Sequence, residues 1–249
     1  PPSPDDVLYR KDGSTGWITL NRPVVLNAIN WSVTRGLERA LDQVESDREV
    51  AAVIIHGAGR AFSAGGDLNW SEPEDGLPSP DELDLFLRIW RMPKTFIAAV
   101  HGYALGMACQ LAMVCDLTIA TEDAKLGEIE IRQGFAPPIL IAPFILGLKQ
   151  AKEFLMLGEM YSAADAQRLG LVNRVVAPGT HIEEAAAIAA KLAALPAHAV
   201  ARDKLLVNRV HELAGFRQAL EYRDDPVIKA LDDPDADLAN PHLKALREQ

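Results

Sequence analysis

The chain has only two cysteines in 249 residues, Cys109 and Cys115, and both lie in one apolar stretch. That excludes a disulfide-stapled scaffold, and buried, reduced thiols acting as small hydrophobes are expected instead. Basic side chains are also few: Lys and Arg number 25 against 35 acidic residues, a formal charge of -10. No basic stripe interrupts this acidity, so the composition argues against a nucleic-acid partner. Aromatic residues make up 6%. Tyr9, Trp17, Trp31, Trp70 and Trp90 are scattered rather than interleaved with basic residues, as core or loop anchors are. No apolar run approaches about 18 residues and no signal-peptide pattern opens the sequence, so the expectation is a cytoplasmic protein with no membrane partner. No sequence repeat or low-complexity linker divides the chain.

With 49% hydrophobic residues the chain can still bury a sizeable core. The stretch it is organised around runs from Ile97 to Asp116, IAAVHGYALGMACQLAMVCD, which reads as an apolar strand, a glycine turn at Gly102 and Gly106, and a helix too apolar on all sides to lie on a surface. The first N–H groups of such a helix have no intrahelical partner and carry the positive end of its dipole. A negative oxygen could be held there, with the N–H of Met107 the best-placed donor. Taken alone, the stretch is accounted for more simply by a core helix with an ordinary capped start; the neighbouring motifs bear on the choice.

Around it, strands and helices alternate. Residues 1–13 read as a frayed, proline-rich start, and Gly16–Asn21 as a half-buried strand. Residues 30–47 place Val33, Leu37, Leu41 and Val44 on one helical face, with Asn30 and Ser32 as candidate caps. Val50–His56 is a β-branched run suited to a buried strand. An acidic surface loop at 72–79 leads to a helix with Ser79 as cap and Pro80 at its first position, buried through Leu83, Leu87 and Trp90. Thr95–His101 and Leu117–Thr121 are further strands. Residues 137–157 read as helix interrupted by Pro143 and Gly147, and SAADAQRLGLVNRVV as a capped helix, a stop at Gly170 and a strand. Beyond residue 180 the chain is mostly helical, suited to a cap or an oligomer interface.

The loop GAGRAFSAGGDLNW admits three readings. A dinucleotide fingerprint fails, because the third glycine position after Gly57 and Gly59 falls on Phe62. A nucleophile elbow is nearly matched around Ser63, with Ala61 in place of its first glycine, which keeps a serine hydrolase in play. In the third reading the N–H groups of Gly66 and Met107 converge on one oxygen, as two oxyanion-hole donors must. The octapeptide GEIEIRQG spaces Glu128, Glu130 and Arg132 two apart, which on a strand directs all three to one face; a solvated sheet edge would look the same.

Taken together, AFSAGGDL, AAVHGYALGMACQLAMVCDLTIA, GEIEIRQG and SAADAQRLGLVNRVV follow one another as they do in the crotonase superfamily, the enoyl-CoA hydratase/isomerase family, and the chain resembles it from about Gly16 to Val176. The resemblance implies an α/β fold, a crotonase-like spiral of ββα units over residues 1–195 followed by a helical C-terminal region at 196–249. It also implies assembly as a homotrimer or a dimer of trimers. It places the oxyanion donors at Gly66 and Met107 and lines the coenzyme A site with Ala64, Asp67 and Leu68, under a loop near Leu26. No metal and no separate cofactor are implied, since coenzyme A enters as part of the acyl-CoA thioester substrate.

Hydratases of the family carry glutamate at the positions of both Gln110 and Glu130, whereas here the first is an amide. Glutamine can hold a water but cannot take up a proton near neutral pH, so proton transfer falls to Glu130. The expected activity is addition of water to a 2-enoyl-CoA, with Gln110 orienting that water. A Δ3,Δ2-enoyl-CoA isomerase working through one glutamate, and a non-catalytic acyl-CoA binder, are the alternatives. Glu128 is the fallback base and is otherwise expected at the site rim or in solvent, while His101 is expected to be a hydrogen-bonded structural residue. Relatives often carry a charged residue where Val24 and Val25 stand, near the coenzyme phosphates; Arg22, Arg60 or a neighbouring subunit's Lys244 would have to compensate. The segment from Asp224 to Gln249 also departs from the family pattern.

Overall fold

The computed structural model describes residues 3–69, 80–134 and 136–221. Strands β1 (Val7–Asp12) and β2 (Thr15–Leu20) form an antiparallel hairpin. Residues 7–12 are therefore a paired strand and not part of a frayed start, because Val7 buries against Gly36 of the helix that follows and its neighbours gain a full ladder of partners. Helix α1 (Trp31–Ser46) follows, its first turn capped by the side chain of Asn30, which accepts from the N–H of Val33. Val33, Leu37, Leu41 and Val44 are all buried, as the helical spacing predicts.

Next come β3 (Ala52–Gly57), α2 (Glu82–Arg91), β4 (Thr95–Val100), β5 (Tyr103–Leu105), α3 (Met107–Val114), β6 (Leu117–Thr121) and β7 (Lys125–Gly127). Asp81, not Ser79, caps α2, accepting from the N–H groups of Leu83 and Asp84; its position directly before the helix gives a carboxylate the shorter reach to both. Ser79 and the acidic loop at 72–79 lie outside the described residues. The chain continues through α4 (Ala142–Ile145), α5 (Leu148–Leu157), β8 (Tyr161–Ser162), α6 (Ala163–Leu169) and β9 (Arg174–Val176). Pro143 sits in the first turn of α4, where a missing N–H costs nothing, so only Gly147 interrupts this region. Helices α7 (His181–Ala193), α8 (Ala197–Leu213) and α9 (Phe216–Glu221) complete it.

The large sheet has six strands in the order β1-β2-β3-β4-β6-β9, parallel from β2 onward; a smaller sheet of three has the order β5-β7-β8. The chain lays β4 in the large sheet and β5 in the small one, then β6 in the large sheet and β7 in the small one, as in a ββα spiral. Both faces of the large sheet are covered, which is why its strands are apolar runs rather than alternating ones. Val53, Ile55, Phe96, Ala98 and Val100 face the cluster built with α1, α2 and α3. Ala52, Ile54, Ile97, Ala99 and Ile119 face α7 through Ala185, Ile188 and Ala189. Cys109 and Cys115 are free and buried, and burial pushes both thiols above their ordinary range. Among the described residues no single helix is long and apolar enough to cross a membrane.

Candidate active site

One loop is pinned to form the site wall. Asn27, buried and in a left-handed conformation (φ 56°), donates from Nδ2 to the carbonyls of Ala58 and Ala61 at 2.9 and 2.8 Å. The Ser63 N–H bonds Tyr103 O at 2.8 Å, which lays the loop beside β5. Gly65 has φ 95°, and a Cβ there would lie 2.5 Å from Leu105 O, so only glycine permits this approach. Next to it, Ile29 N–H bonds Gly65 O, and Asp67 N–H bonds Ile29 O, both at 2.8 Å. That ladder uses the backbone on either side of Gly66 and leaves the Gly66 N–H with no acceptor among the described residues.

Met107 opens α3, and its N-cap Gly106 offers no side chain to satisfy the first N–H groups. The Met107 N–H likewise has no acceptor among the described residues. Gly66 and Met107 both line a cavity of about 170 Å³ together with Ala64, Gly65, Asp67, Leu68, Gly106, Ile129, Glu130, Gln133 and Pro138. The sequence reading thus brought six of its residues to one cavity: Ala64, Gly66, Asp67, Leu68, Met107 and Glu130. Leu26 stands just behind, its carbonyl accepting from the Ala64 N–H at 2.9 Å.

The acidic octapeptide departs from its strand expectation. β7 ends at Gly127, and Glu130–Gln133 is a 3₁₀ turn, so Glu128 and Glu130 meet by chain reversal rather than by two-residue alternation. Neither faces solvent: Glu128 is 2% and Glu130 7% exposed. Glu128 is therefore not at the rim, as the sequence suggested, but beneath the cavity. Gln110, with no exposed surface, donates from Nε2 to Glu128 Oε2 at 2.9 Å and to Glu130 Oε1 at 3.0 Å. Both amide hydrogens are thereby spent on carboxyls, and Gln110 lies off the cavity wall. Burial is the largest effect on both acids and raises both above the usual carboxylate range. For Glu128 the charge of Glu130 adds to it; for Glu130 its own N–H, a hydrogen bond from Glu128 and the Ile129 N–H oppose it. Glu130 also passes so close to Gly106 that a Cβ there would lie 2.8 Å from Oε1.

Other candidates fall outside this arrangement. Ser63 is fully buried, donates its hydroxyl to Asn27 O at 2.8 Å and accepts from the Gly65 N–H, so it is a loop-fixing residue and no exposed nucleophile. His101 bonds Gly59 O through Nε2 at 2.9 Å and stacks on His181, the structural role expected of it. Arg22 is occupied by Asp67 at 2.9 Å, Asp6 and Ala28 O, which takes it away from any phosphate. Arg60 is exposed, Val24 is 94% exposed, and Lys244 lies outside the described residues. No cluster of three or more His, Cys, Asp or Glu suited to a metal occurs among the described residues. A larger cavity of about 410 Å³ lies between α2, α3, α4 and α8, but of its charged groups Asp116 and Lys204 are paired with each other at 2.9 Å and Asp203 with Arg202 at 3.7 Å. Sequence reasoning missed Asn27, Ile129, Gln133 and Pro138; of these only Asn27, as a residue type that tolerates positive φ, carried a signal.

Residues 10–224 match the family model described as Enoyl-CoA hydratase/isomerase. A probable enoyl-CoA hydratase of Rhizobium meliloti is 39% identical over 214 residues, covering 84% of this chain and 83% of its own. A short-chain-enoyl-CoA hydratase of Clostridium acetobutylicum is 33% identical over 213 residues, covering 82% of each. The crystal structure of an enoyl-CoA hydratase/isomerase from Xanthobacter autotrophicus Py2 superposes with a TM-score of 0.84 at 37% identity, over 98% of this chain and 91% of that one. With the pinned loop, the glycine-capped helix and the buried glutamate in place on this fold, the chain belongs to the enoyl-CoA hydratase/isomerase family.

Proposed function

We propose that the chain adds water to 2-enoyl-CoA thioesters. The observation that carries this reading is the meeting of the unsatisfied N–H groups of Gly66 and Met107 with the Glu130 carboxyl on one cavity. The thioester carbonyl oxygen accepts from both N–H groups, which hold the charge that grows on it as an enolate forms; one such donor is worth about 100- to 1000-fold in rate. Glu130 takes a proton from water as the water oxygen attacks Cβ, and a proton passes to Cα on the same face. Gln110 holds the Glu130 carboxyl in place, since both its Nε2 hydrogens are engaged by carboxyls and it lies off the cavity wall where the water attacks. Ala64, Asp67, Leu68 and Leu26 form the edge on which coenzyme A lies. The chemistry requires no metal and no cofactor beyond the coenzyme of the substrate.

A second reading within the fold, Δ3,Δ2-isomerisation, is favoured by one observation: of the two carboxyls that line the cavity Asp67 is paired with Arg22, which leaves Glu130 to carry a proton between Cα and Cγ. Assembly as a homotrimer or dimer of trimers in the cytoplasm belongs to the same proposal. The assembly is supported by apolar side chains left exposed at Leu206, Val210 and Leu213 along one stripe of α8 and at Leu148, Met156 and Leu157 on α5. The deciding experiment assays crotonyl-CoA and 3-hexenoyl-CoA in parallel and identifies products by mass. Hydration of crotonyl-CoA that Glu130→Gln abolishes supports the first reading, and conjugation of the 3-enoyl substrate without added water the second. Binding without turnover of either would leave an acyl-CoA binder.

A further inference from the structure

We propose that Glu128 is a positioning residue for the reaction: its protonated carboxyl donates a hydrogen bond to Glu130 and, with the Gln110 amide, holds Glu130 ionised and aimed at the cavity. This rests on the reading of Glu130 as the proton-transfer group.

Two carboxyl groups share one amide donor, at 2.9 and 3.0 Å, in a place where neither is more than 7% exposed. The groups facing them are Gln110 and Cys109 from α3, the turn's own N–H groups at Ile129 and Glu130, and each other. No cation faces either acid among the described residues. Two adjacent carboxylates without a cation cannot both ionise in so little water, so the pair carries one proton. The proton belongs on Glu128. It is the deeper of the two, does not line the cavity, and lacks the backbone N–H donors that favour a charge on Glu130. The deeper burial of Glu128, 2% exposed against 7% for Glu130, points the same way. Gln110 is neutral where the family's hydratases have glutamate, so the second acid of this site stands at 128 rather than at 110. Glu128 keeps its proton throughout the cycle: the proton taken from water resides on Glu130, and the one delivered to Cα leaves from Glu130.

Infrared spectroscopy of the whole protein at about pH 8, where surface carboxyls are ionised, tests this. A protonated-carboxyl carbonyl stretch is expected in the wild type and in Asp116→Asn, and is lost in Glu128→Gln. Its absence from the wild type overturns the proposal without any Glu128 variant having to fold. Kinetics gives a second reading. Glu128→Ala removes the donor, lowers kcat by about 10- to 100-fold, the size of one charge-assisted hydrogen bond, and moves the acid limb of the kcat profile to higher pH. Glu128→Gln keeps an N–H donor, loses less than about 10-fold, and leaves the acid limb in place. An unmoved acid limb in Glu128→Ala would reduce Glu128 to a structural residue. If Glu130→Gln retains full turnover, the proposed function fails; if that variant is inactive while the infrared band is missing, only the role of Glu128 fails.

Discussion

Gly106→Ala is the most informative single substitution, because one added methyl acts on the backbone, the base and the helix start together. Gly106 has φ 52° and ψ -126°, a region L-residues rarely enter, and holding a side chain there costs about 1–3 kcal/mol. In a chain of this size that corresponds to a fall in Tm of about 2–4 °C per kcal/mol. The methyl would also lie 2.8 Å from Glu130 Oε1, where an ordinary contact begins at 3.4 Å. The carboxyl or the turn must therefore give by roughly half an ångström. A misplacement of about 1 Å is enough to cost about 100-fold in rate, so half of it should cost about 10-fold. A shift of the adjoining Met107 N–H, the proposed oxyanion donor, adds to this, and kcat is expected to fall by about 10- to 100-fold in all. The assay is loss of the conjugated enoyl absorbance of crotonyl-CoA, run beside a thermal melt. A variant that melts lower yet keeps full kcat would refute the reasoning, for it would show that the Gly106 wall does not set the position of Glu130.

Glu130→Gln should lower kcat by at least about 100-fold in the same assay with the melting profile retained, since general acid–base catalysis is worth about 100- to 10,000-fold. Wild-type kcat should fall on acidification at a pH above the ordinary carboxylate range, because burial raises the Glu130 carboxyl and its base form is lost sooner; a limb at or below that range counts against it. For stability the sign is opposite: a raised carboxyl binds a proton in the folded chain that it releases on unfolding, so its contribution is full below the unfolded value and lost as pH rises. Glu128→Gln should therefore melt higher than wild type at neutral pH, with the gap closing toward acid, as calorimetry at several pH values would show. Lys204→Met leaves Asp116 buried and unpaired and should destabilise by about 3–5 kcal/mol in urea titration, with Asp116→Asn recovering part of the loss.

Much of this site was legible in the sequence because its signals are backbone signals. Glycine at 65, 66 and 106 marks turns and close approaches, and the all-round apolar helix after Gly106 announces burial. What the sequence concealed depended on long-range packing. Alternating charges in EIEIR look the same on an exposed strand and in a 3₁₀ turn folded under a cavity; only the end of β7 at Gly127 decides between them. The strand at 7–12 looked frayed although its partner β2 follows at once, because helix α1, which covers Val7, lies further along the chain. Gln110 was recognisable as a departure from the family, but its commitment to two carboxyls could not be read without the position of Glu128.

The Lys204 ammonium, reaching from α8 to the carbonyls of Ile89 and Lys94 and to Asp116, has a bearing on the order of folding. Asp116 also accepts from the Phe96 N–H at the start of β4, so strand, helix end and carboxylate can assemble early from segments close in sequence. The cation that neutralises them comes 88 residues after Asp116. Until α8 is in place the acid at the start of β4 and β6 lacks its cation, and closure of long loops of this kind is a slow step. Docking of α8 supplies the charge that lets this acid be buried ionised, so a segment remote from the reacting atoms completes a unit whose other parts lie close in sequence.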